Sequence, residues 1–283
     1  SFCLTLGQQS PKIKKHLGRM YETGAWLSIM PSWFDGTQLT LEEWHDNIAL
    51  RFGRRPNNLP DCCDGCGDHF SIEHALSCKL GGLVGIRHDD VPDEGAHLMA
   101  QAMTASRFTT EPTIFYGDGI NAAQHGTGDD GIGDKARGDI ACHSFWQQGC
   151  TTVFDISICN TDARSYGNQA SKKVLERRAQ QKKDKYGEAC QERRQDFTPL
   201  IYSVDGLPGK DARAAEHRLA SLLASKWNHQ YSEMVGYVCA QMSFAVICSN
   251  MLLLHREHAH KWRCCSPVTD RANLRAVETP RWI

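Results

Sequence analysis

Two aspartates, each at or within a short apolar run, stand where paired carboxylates could bind a cation. Asp139 opens the stretch Ile140–Trp146, and Asp155 lies inside the run Val153-Phe154-Asp155-Ile156-Ser157-Ile158. Downstream comes Lys182-Lys183-Asp184-Lys185-Tyr186. Two carboxylates can hold Mg²⁺ or Mn²⁺, and such a cation activates water and stabilises charge on a phosphoryl group. A lysine beside them can orient or activate the water and offset developing charge. Hydrolysis of a phosphodiester needs this set. An aspartate between Phe154 and Ile156 is disfavoured in a strand, so its side chain must face an edge or a polar site. The competing reading is an ordinary solvent-facing strand residue.

A second group lies upstream. Cys63, Cys66, His74 and Cys78 have the spacing C-x2-C-x7-H-x3-C. Zinc takes four soft or borderline ligands in a tetrahedron. A CxxC turn supplies two thiolates, helped here by Gly65 and Gly67, and His74 and Cys78 point the same way if they stand on one helix. Cys62 is an alternative to Cys63, and His69 is a reserve ligand. His255, His258, His260, Cys264 and Cys265 show no regular ligand spacing and read as part of a polar tail.

The chain has 283 residues, 41% of them hydrophobic, enough for one large domain or two modest ones. Its formal net charge of −1 is uninformative as a total, but the charge is unevenly spread. Between Lys172 and Lys185, seven basic residues stand against Glu176 and Asp184. Such a run is either a solvated helix face or a phosphate-facing surface. The start, Ser1-Phe2-Cys3-Leu4-Thr5, has no secretory character, so an intracellular, non-secreted setting is expected. In such a setting the 13 cysteines read first as thiols and metal ligands. The opening without Met reads as part of a longer product. The most apolar run, Met242–Leu254, is too short to span a bilayer and carries Ser243, Ser249 and Asn250, so no membrane partner is expected.

Several elements must position these groups. Lys12–Glu22 predicts a short basic helix, and Asp35-Gly36-Thr37 a turn. Thr40 and Glu43 form a capping-box pair ahead of a helix whose Leu41, Trp44, Ile48 and Phe52 should face the core. A further helix is expected over about Pro92–Met103. Residues 117–135, rich in glycine and aspartate, read as a loop without a phosphate-loop pattern. Strands are predicted over Ile140–Trp146, Thr151–Ile158 and Phe197–Val204, with a turn at Gln147-Gln148-Gly149. Helices should cover about Ala170–Arg194, Asp211–Trp227 and Ser232–His255. The resulting division is a helical lead-in (1–60), a CCHC zinc knuckle (61–80), an α/β domain (81–255) and a polar tail (256–283).

Arg137-Gly138-Asp139, Asp155-Ile156-Ser157 and the distal lysine helix resemble the PD-(D/E)xK restriction-like nucleases. More narrowly, the order is similar to the C-terminal region of non-LTR retrotransposon proteins with a restriction-like endonuclease. It runs from Cys63, Cys66, His74 and Cys78, through Gly81–Asp89 with Arg87-His88, to Asp139, Asp155 and Lys182–Tyr186, within about Trp26–Leu254. The resemblance implies an α/β, restriction-endonuclease-like mixed sheet flanked by helices, preceded by a helical segment and a CCHC knuckle. It implies that Asp139 and Asp155 bind Mg²⁺ or Mn²⁺, and that Lys182, or alternatively Lys185, is the catalytic lysine. It also implies structural Zn²⁺ on the four knuckle ligands. Nucleic acid should meet Arg87, His88, Lys172, Lys173, Arg177, Arg178 and Lys183. The family nicks target DNA for target-primed reverse transcription, so DNA, and as a further partner the element's RNA, would be bound in the nucleus. Ser157 stands where many such nucleases keep the lysine, and Gly138 where the family usually has proline. Asp89, Asp93 and Glu94 sit where the first nuclease helix could add an acid. No polymerase-type paired-aspartate turn is present. The rival readings are an inactive, zinc-containing nucleic-acid-binding module derived from a retroelement, and a zinc-stabilised scaffold with no nucleic-acid role.

Overall fold

The computed structural model describes residues 11–32, 36–63, 65–76, 78, 80, 83–103, 107–114 and 136–255. The expected turn at Asp35, the glycine-rich segment 117–135 and the tail 256–283 therefore lie outside, or mostly outside, the described residues. So do the side chains of Arg87, His88 and Asp89.

The fold is mixed α/β. In chain order, α1 (Pro11–Arg19) leads through two 3-10 turns, Met20–Glu22 and Ala25–Ser28, to α2 (Leu41–Arg51). The short α3 (Ile72–Ala75) and the long α4 (Leu83–Ala102) follow. Next come β1 (Phe108–Thr110), β2 (Thr113–Ile114), β3 (Ala136–Arg137), β4 (Ile140–His143) and β5 (Thr151–Cys159). The C-terminal half is α5 (Ser171–Glu192), β6 (Gln195–Ser203), α6 (Lys210–Trp227) and α7 (Tyr231–His255).

Among the described residues, one four-stranded sheet has the order β1-β4-β5-β6. β4 runs antiparallel to both β1 and β5, and β6 lies parallel to β5. A parallel neighbour demands a crossover, and α5 supplies it. The β5 side chains alternate between faces. Phe154 and Ile156 face one layer, with Ile140, Cys142, Leu200 and Tyr202, packed against α4, α6 and α7. Val153 and Cys159 face the other, against α5. α5 buries Leu175, Ala179, Tyr186 and Cys190 toward the sheet, a stripe at helical spacing.

α7 is the spine of the molecule. Met234, Val238, Met242 and Val246 belong to the main core. Ala240, Phe244 and Ile247 pack on Trp26 and Ile29 of the lead-in, and Met251 and Leu254 pack on Cys63, Phe70 and Ala75 of the knuckle. The helix exceeds the expected apolar run: Tyr231–Met251 is long and apolar enough to cross a membrane by length and composition, but 67% of that stretch is buried inside the protein. A helix that is apolar on all sides is explained by having packing partners on all sides.

Several sequence expectations are corrected. α4 begins at Leu83 rather than near Pro92, and Pro92 sits inside it. Proline suits a first helical turn, but here the buried Val91, Ala96, Leu98 and Met99 hold a helix that continues through it. The strand expected to reach Trp146 ends at His143, because Ser144 takes a positive φ of 61° and turns the chain. β1, at the edge of the sheet, was not foreseen. In α2 the Thr40–Glu43 capping box is present in both directions, but only part of the expected face is covered: Ile48 packs beside Trp26 and Ile29. Leu41, Trp44 and Phe52 are exposed, while Asp46 and Asn47 are buried. Asn47 is satisfied within the helix, donating to the Glu43 carbonyl at 2.9 Å.

Candidate metal centres

Asp139 stands one residue before β4. Its backbone N–H donates to the Phe154 carbonyl at 2.9 Å, and its Oδ2 accepts from the Ile156 N–H at 2.5 Å. These bonds fall on either side of Asp155, so the two aspartates are neighbours across the pairing with β5. Asp155 is 4% exposed. By the alternation of β5 it faces α5, on the same side as Val153.

The group it meets there is Lys182. Nζ of Lys182 lies 2.8 Å from Oδ2 of Asp155, with the lysine side chain 26% and the aspartate side chain 6% exposed. Oδ2 is buried and meets no donor in good hydrogen-bond geometry, so the contact is an ion pair rather than an aligned hydrogen bond. Position 182 falls between Ala179 and Tyr186 on the buried stripe of α5. A charged residue there, opposite a charged residue on the inner face of a strand, is a matched pair set into an apolar seam. Tyr186 packs on Phe197 with ring centroids 5.5 Å apart and supports the Lys182 ammonium, 5.7 Å from its ring. Lys185 is exposed and sits 4.9 Å from the same ring. Of the two lysines left open by the sequence, Lys182 is the one paired with Asp155.

Gly138 has a local reason. A Cβ there would fall 2.4 Å from Cγ1 of Val153 and 3.3 Å from the Phe154 carbonyl oxygen. Its N–H donates to the Pro112 carbonyl at 2.9 Å. Proline at this position would lose that bond and add a clash. Ser157 shares the inner face of β5 with Asp155 and is half-buried. Asp93 is exposed and Glu94 half-buried on α4, which packs on the opposite face of the sheet from Asp155.

The basic residues divide. Lys172 pairs with Glu22 at 2.9 Å, and Lys183 with Asp211 of α6 at 2.8 Å. Arg177 lies 5.0 Å from the Tyr166 ring, and Arg178 donates to Gln181 at 3.5 Å. Lys173, Arg177 and Arg178 are exposed. Lys172 and Lys183 thus hold the fold together as well as lending charge to its surface.

In the knuckle, Cys63, Cys66, His74 and Cys78 place their four ligand atoms within 4.8 Å of one another. Sulfur separations are 3.9 Å for Cys63–Cys78 and for Cys66–Cys78, and Sγ of Cys66 lies 3.1 Å from Nε2 of His74. Two sulfurs bound to one tetrahedral zinc are about 3.8 Å apart, given Zn–S of about 2.3 Å. The donor set and its spacing therefore fit a cation such as zinc. The turn is closed by Gly67 N–H to the Cys63 carbonyl at 2.7 Å and Cys63 N–H to the Asp68 carbonyl at 2.8 Å; Gly67 supplies the positive φ of 76°. Ser71 caps α3 by accepting from the His74 N–H at 3.1 Å.

Backbone N–H groups of Cys66 and Gly65, with His74, hold the Cys63 thiol down at about 6. The Asp68 N–H pulls the Cys66 thiol down, but burial and the adjacent Cys63 and Cys78 thiols outweigh it and raise it to about 11. The ambiguity at Cys62 is settled: Cys62 is exposed and forms an isolated β-bridge with His69, outside the ligand cluster.

A polar hub escaped the sequence reading. Arg19 bonds Asp162 with both terminal nitrogens and Asp205 through Nε at 2.5 Å, and reaches Ser171 Oγ at 3.3 Å. Lys15 donates to the Thr161 carbonyl at 2.6 Å and pairs with Asp162 at 3.4 Å. Burial disfavours the Asp162 carboxylate, but Arg19 and Lys15 overcome it and hold its pKa below the usual range. Nothing local marks these residues in the sequence, because the partners lie more than a hundred positions apart. The chain matches no protein-family model and no curated protein.

Proposed function

We propose that the chain is the restriction-like endonuclease portion of a non-LTR retrotransposon protein, nicking DNA with the help of Mg²⁺ or Mn²⁺. The observation that carries this reading is the setting of Asp155, met by Lys182 of α5 and flanked on β5 by the residues that Asp139 bonds. A mixed sheet flanked by helices, preceded in the chain by a Cys3His knuckle, accords with it. Asp155 and Asp139 would hold the cation; two carboxylates with substrate phosphate and water are the usual complement for Mg²⁺. When bound, it supplies a more acidic water and Lewis-acid stabilisation of the phosphoryl oxygens. Asp139 is held in place through Oδ2 by the Ile156 N–H, so little ordering is left for the reaction itself. Lys182 keeps a positive charge at the carboxylates and can hydrogen-bond a phosphoryl oxygen as its charge grows. Lys173, Arg177 and Arg178 offer exposed charge to the DNA backbone. Work on chromosomal DNA would place the protein in the nucleus.

A second reading, a nucleic-acid-binding module without cleavage, is favoured by one observation. Lys182 already balances Asp155 at 2.8 Å, so this pair is electrostatically complete without a cation. Nicking of supercoiled plasmid by zinc-loaded protein with Mg²⁺ or Mn²⁺, beside Asp139→Ala, Asp155→Ala and Lys182→Ala, separates the two. The nuclease reading expects cleavage by the parent and its loss in all three variants with DNA binding retained. Salt-sensitive binding with no parental cleavage would establish the second reading instead.

A further inference from the structure

The connection from β5 to α5, residues 160–170, joins the strand that carries Asp155 to the helix that carries Lys182. It is gripped from outside at two points. Lys15 and Arg19 of α1 hold Thr161 and Asp162. From the knuckle, Oε1 of Glu73 accepts the backbone N–H of Arg164 at 3.0 Å. Arg164 opens the 3-10 turn Arg164–Tyr166, whose preceding residue, Ala163, offers no side-chain cap. The first N–H groups of a helical turn have no partner within it. Glu73 therefore caps this turn from ninety-one positions away.

Glu73 is the neighbour of the ligand His74 on α3. That helix has four residues, far too few to persist alone. Its anchors are the Ser71 cap, the seat of Ala75 against α7, and the ligand cluster. A cation bound by His74 and Cys78 would tie the C-terminal part of α3 to the segment that follows it and so steady the adjacent carboxylate of Glu73.

We propose that Glu73 is a positioning residue through which metal loading of the knuckle orders the 160–170 connection and thereby seats Lys182 on Asp155. The ordering is independent of whether the site cuts DNA; its consequence for catalysis rests on the nuclease reading. A charge-assisted hydrogen bond at an exposed position contributes about 1 kcal/mol, which is about fivefold in an opening equilibrium.

Amide hydrogen exchange of the full chain tests it, zinc-loaded and zinc-stripped, with Glu73→Ala and Glu73→Gln beside the parent. Zinc content is measured in each. In the zinc-loaded state, Glu73→Ala should exchange about fivefold faster than the parent across 161–167 while keeping its zinc, and Glu73→Gln, which keeps an acceptor oxygen, should fall between. Stripping zinc from the parent should speed the same peptide. If stripping unfolds the whole chain, the zinc-loaded comparison still decides. Parental protection in zinc-loaded Glu73→Ala would overturn the proposal. In plasmid nicking, the same variant should lower turnover at saturating DNA and leave the DNA concentration at half-maximal rate unchanged. Faster exchange in Glu73→Ala beside a parent that never nicks would sink the nuclease reading alone.

Discussion

Lys182→Met is the sharpest perturbation of the site. It keeps an unbranched stem on the buried stripe of α5 and removes only the ammonium. Asp155 would be left with its side chain 6% exposed and without the charge that balances it. Breaking a buried pair from one side costs about 3–5 kcal/mol. Lys182 is 26% exposed, so water relieves part of this, and about 2 kcal/mol is expected, roughly thirtyfold in the unfolding equilibrium. Urea denaturation without divalent cations reads it. Asp155→Asn combined with Lys182→Met should cost less than the two single changes added, by about 1–2 kcal/mol, because the groups touch. Added Mg²⁺ should then stabilise Lys182→Met more than the parent, since the cation no longer competes with the lysine. At a hundredfold excess over its Kd, a ligand of the folded state contributes about 2.7 kcal/mol. Additive single changes would show that the pair does not form. A real coupling with no extra response to Mg²⁺ would show that the carboxylates are a structural pair and not a cation site.

Zinc content should be one per chain and should fall in Cys66→Ser, His74→Ala and Cys78→Ser, while Cys62→Ser stays at the parental value; a loss of zinc in Cys62→Ser would reverse the ligand assignment. Gly138→Pro, which restores the residue usual in the resembled family, should destabilise by about 2 kcal/mol or more, through the clash with Val153 and the lost bond to Pro112, and an unchanged urea midpoint would refute that packing. Burial drives the Glu216 carboxyl up to about 7, against the opposing pull of Tyr202 and Arg213. A raised acid makes the folded state hold its proton more tightly. Its contribution to stability is therefore full below the ordinary 4.5 and declines as pH rises toward 7. At 1.36 kcal/mol per pH unit the decline is at most about 3 kcal/mol. Glu216→Gln should flatten that slope in denaturation curves between pH 4.5 and 7, and a variant with the parental slope would assign it to other groups.

What the sequence shows of this structure depends on how local the cause is. The Thr40–Glu43 box is complete within four residues and was legible. The knuckle, closed within sixteen residues, was legible too, except for the choice between Cys62 and Cys63. That choice depends on which residue of the turn faces α7, where Cys63 meets Met251 and Leu254. The apolar periodicity of α2 points to a buried face but not to a neighbour, and Trp44, 42% exposed, packs edge-to-face with Trp26 at 5.4 Å. The first turns of α4, Leu83–Val91, carry no clear start signal, and Pro92 hides the continuity of the helix. The hub of Arg19, Asp162 and Asp205 carries no local signature at all.

The preference for Lys182 over Lys185, which the resemblance implies, also accords with the faces of α5. Ser171, Val174, Leu175, Ala179, Tyr186, Ala189 and Cys190 define the buried stripe of α5, and at the helical period Lys182 falls near its middle while Lys183 and Lys185 fall to either side. On β5 the same rule puts Ser157 beside Asp155, two residues apart and on one face. A lysine at 157 and a lysine at 182 would thus enter the same space from different elements, one along the strand and one down from the helix above it. What the site fixes is the position of an ammonium opposite the inner face of β5, not the element that brings it. Grafting the lysine, as Ser157→Lys in a Lys182→Ala background, puts that equivalence to the test. Recovery of the stability lost in Lys182→Ala would show that the two positions share one pocket. No recovery, with Ser157→Lys alone well folded, would show that the stripe of α5 matters for more than the charge it delivers.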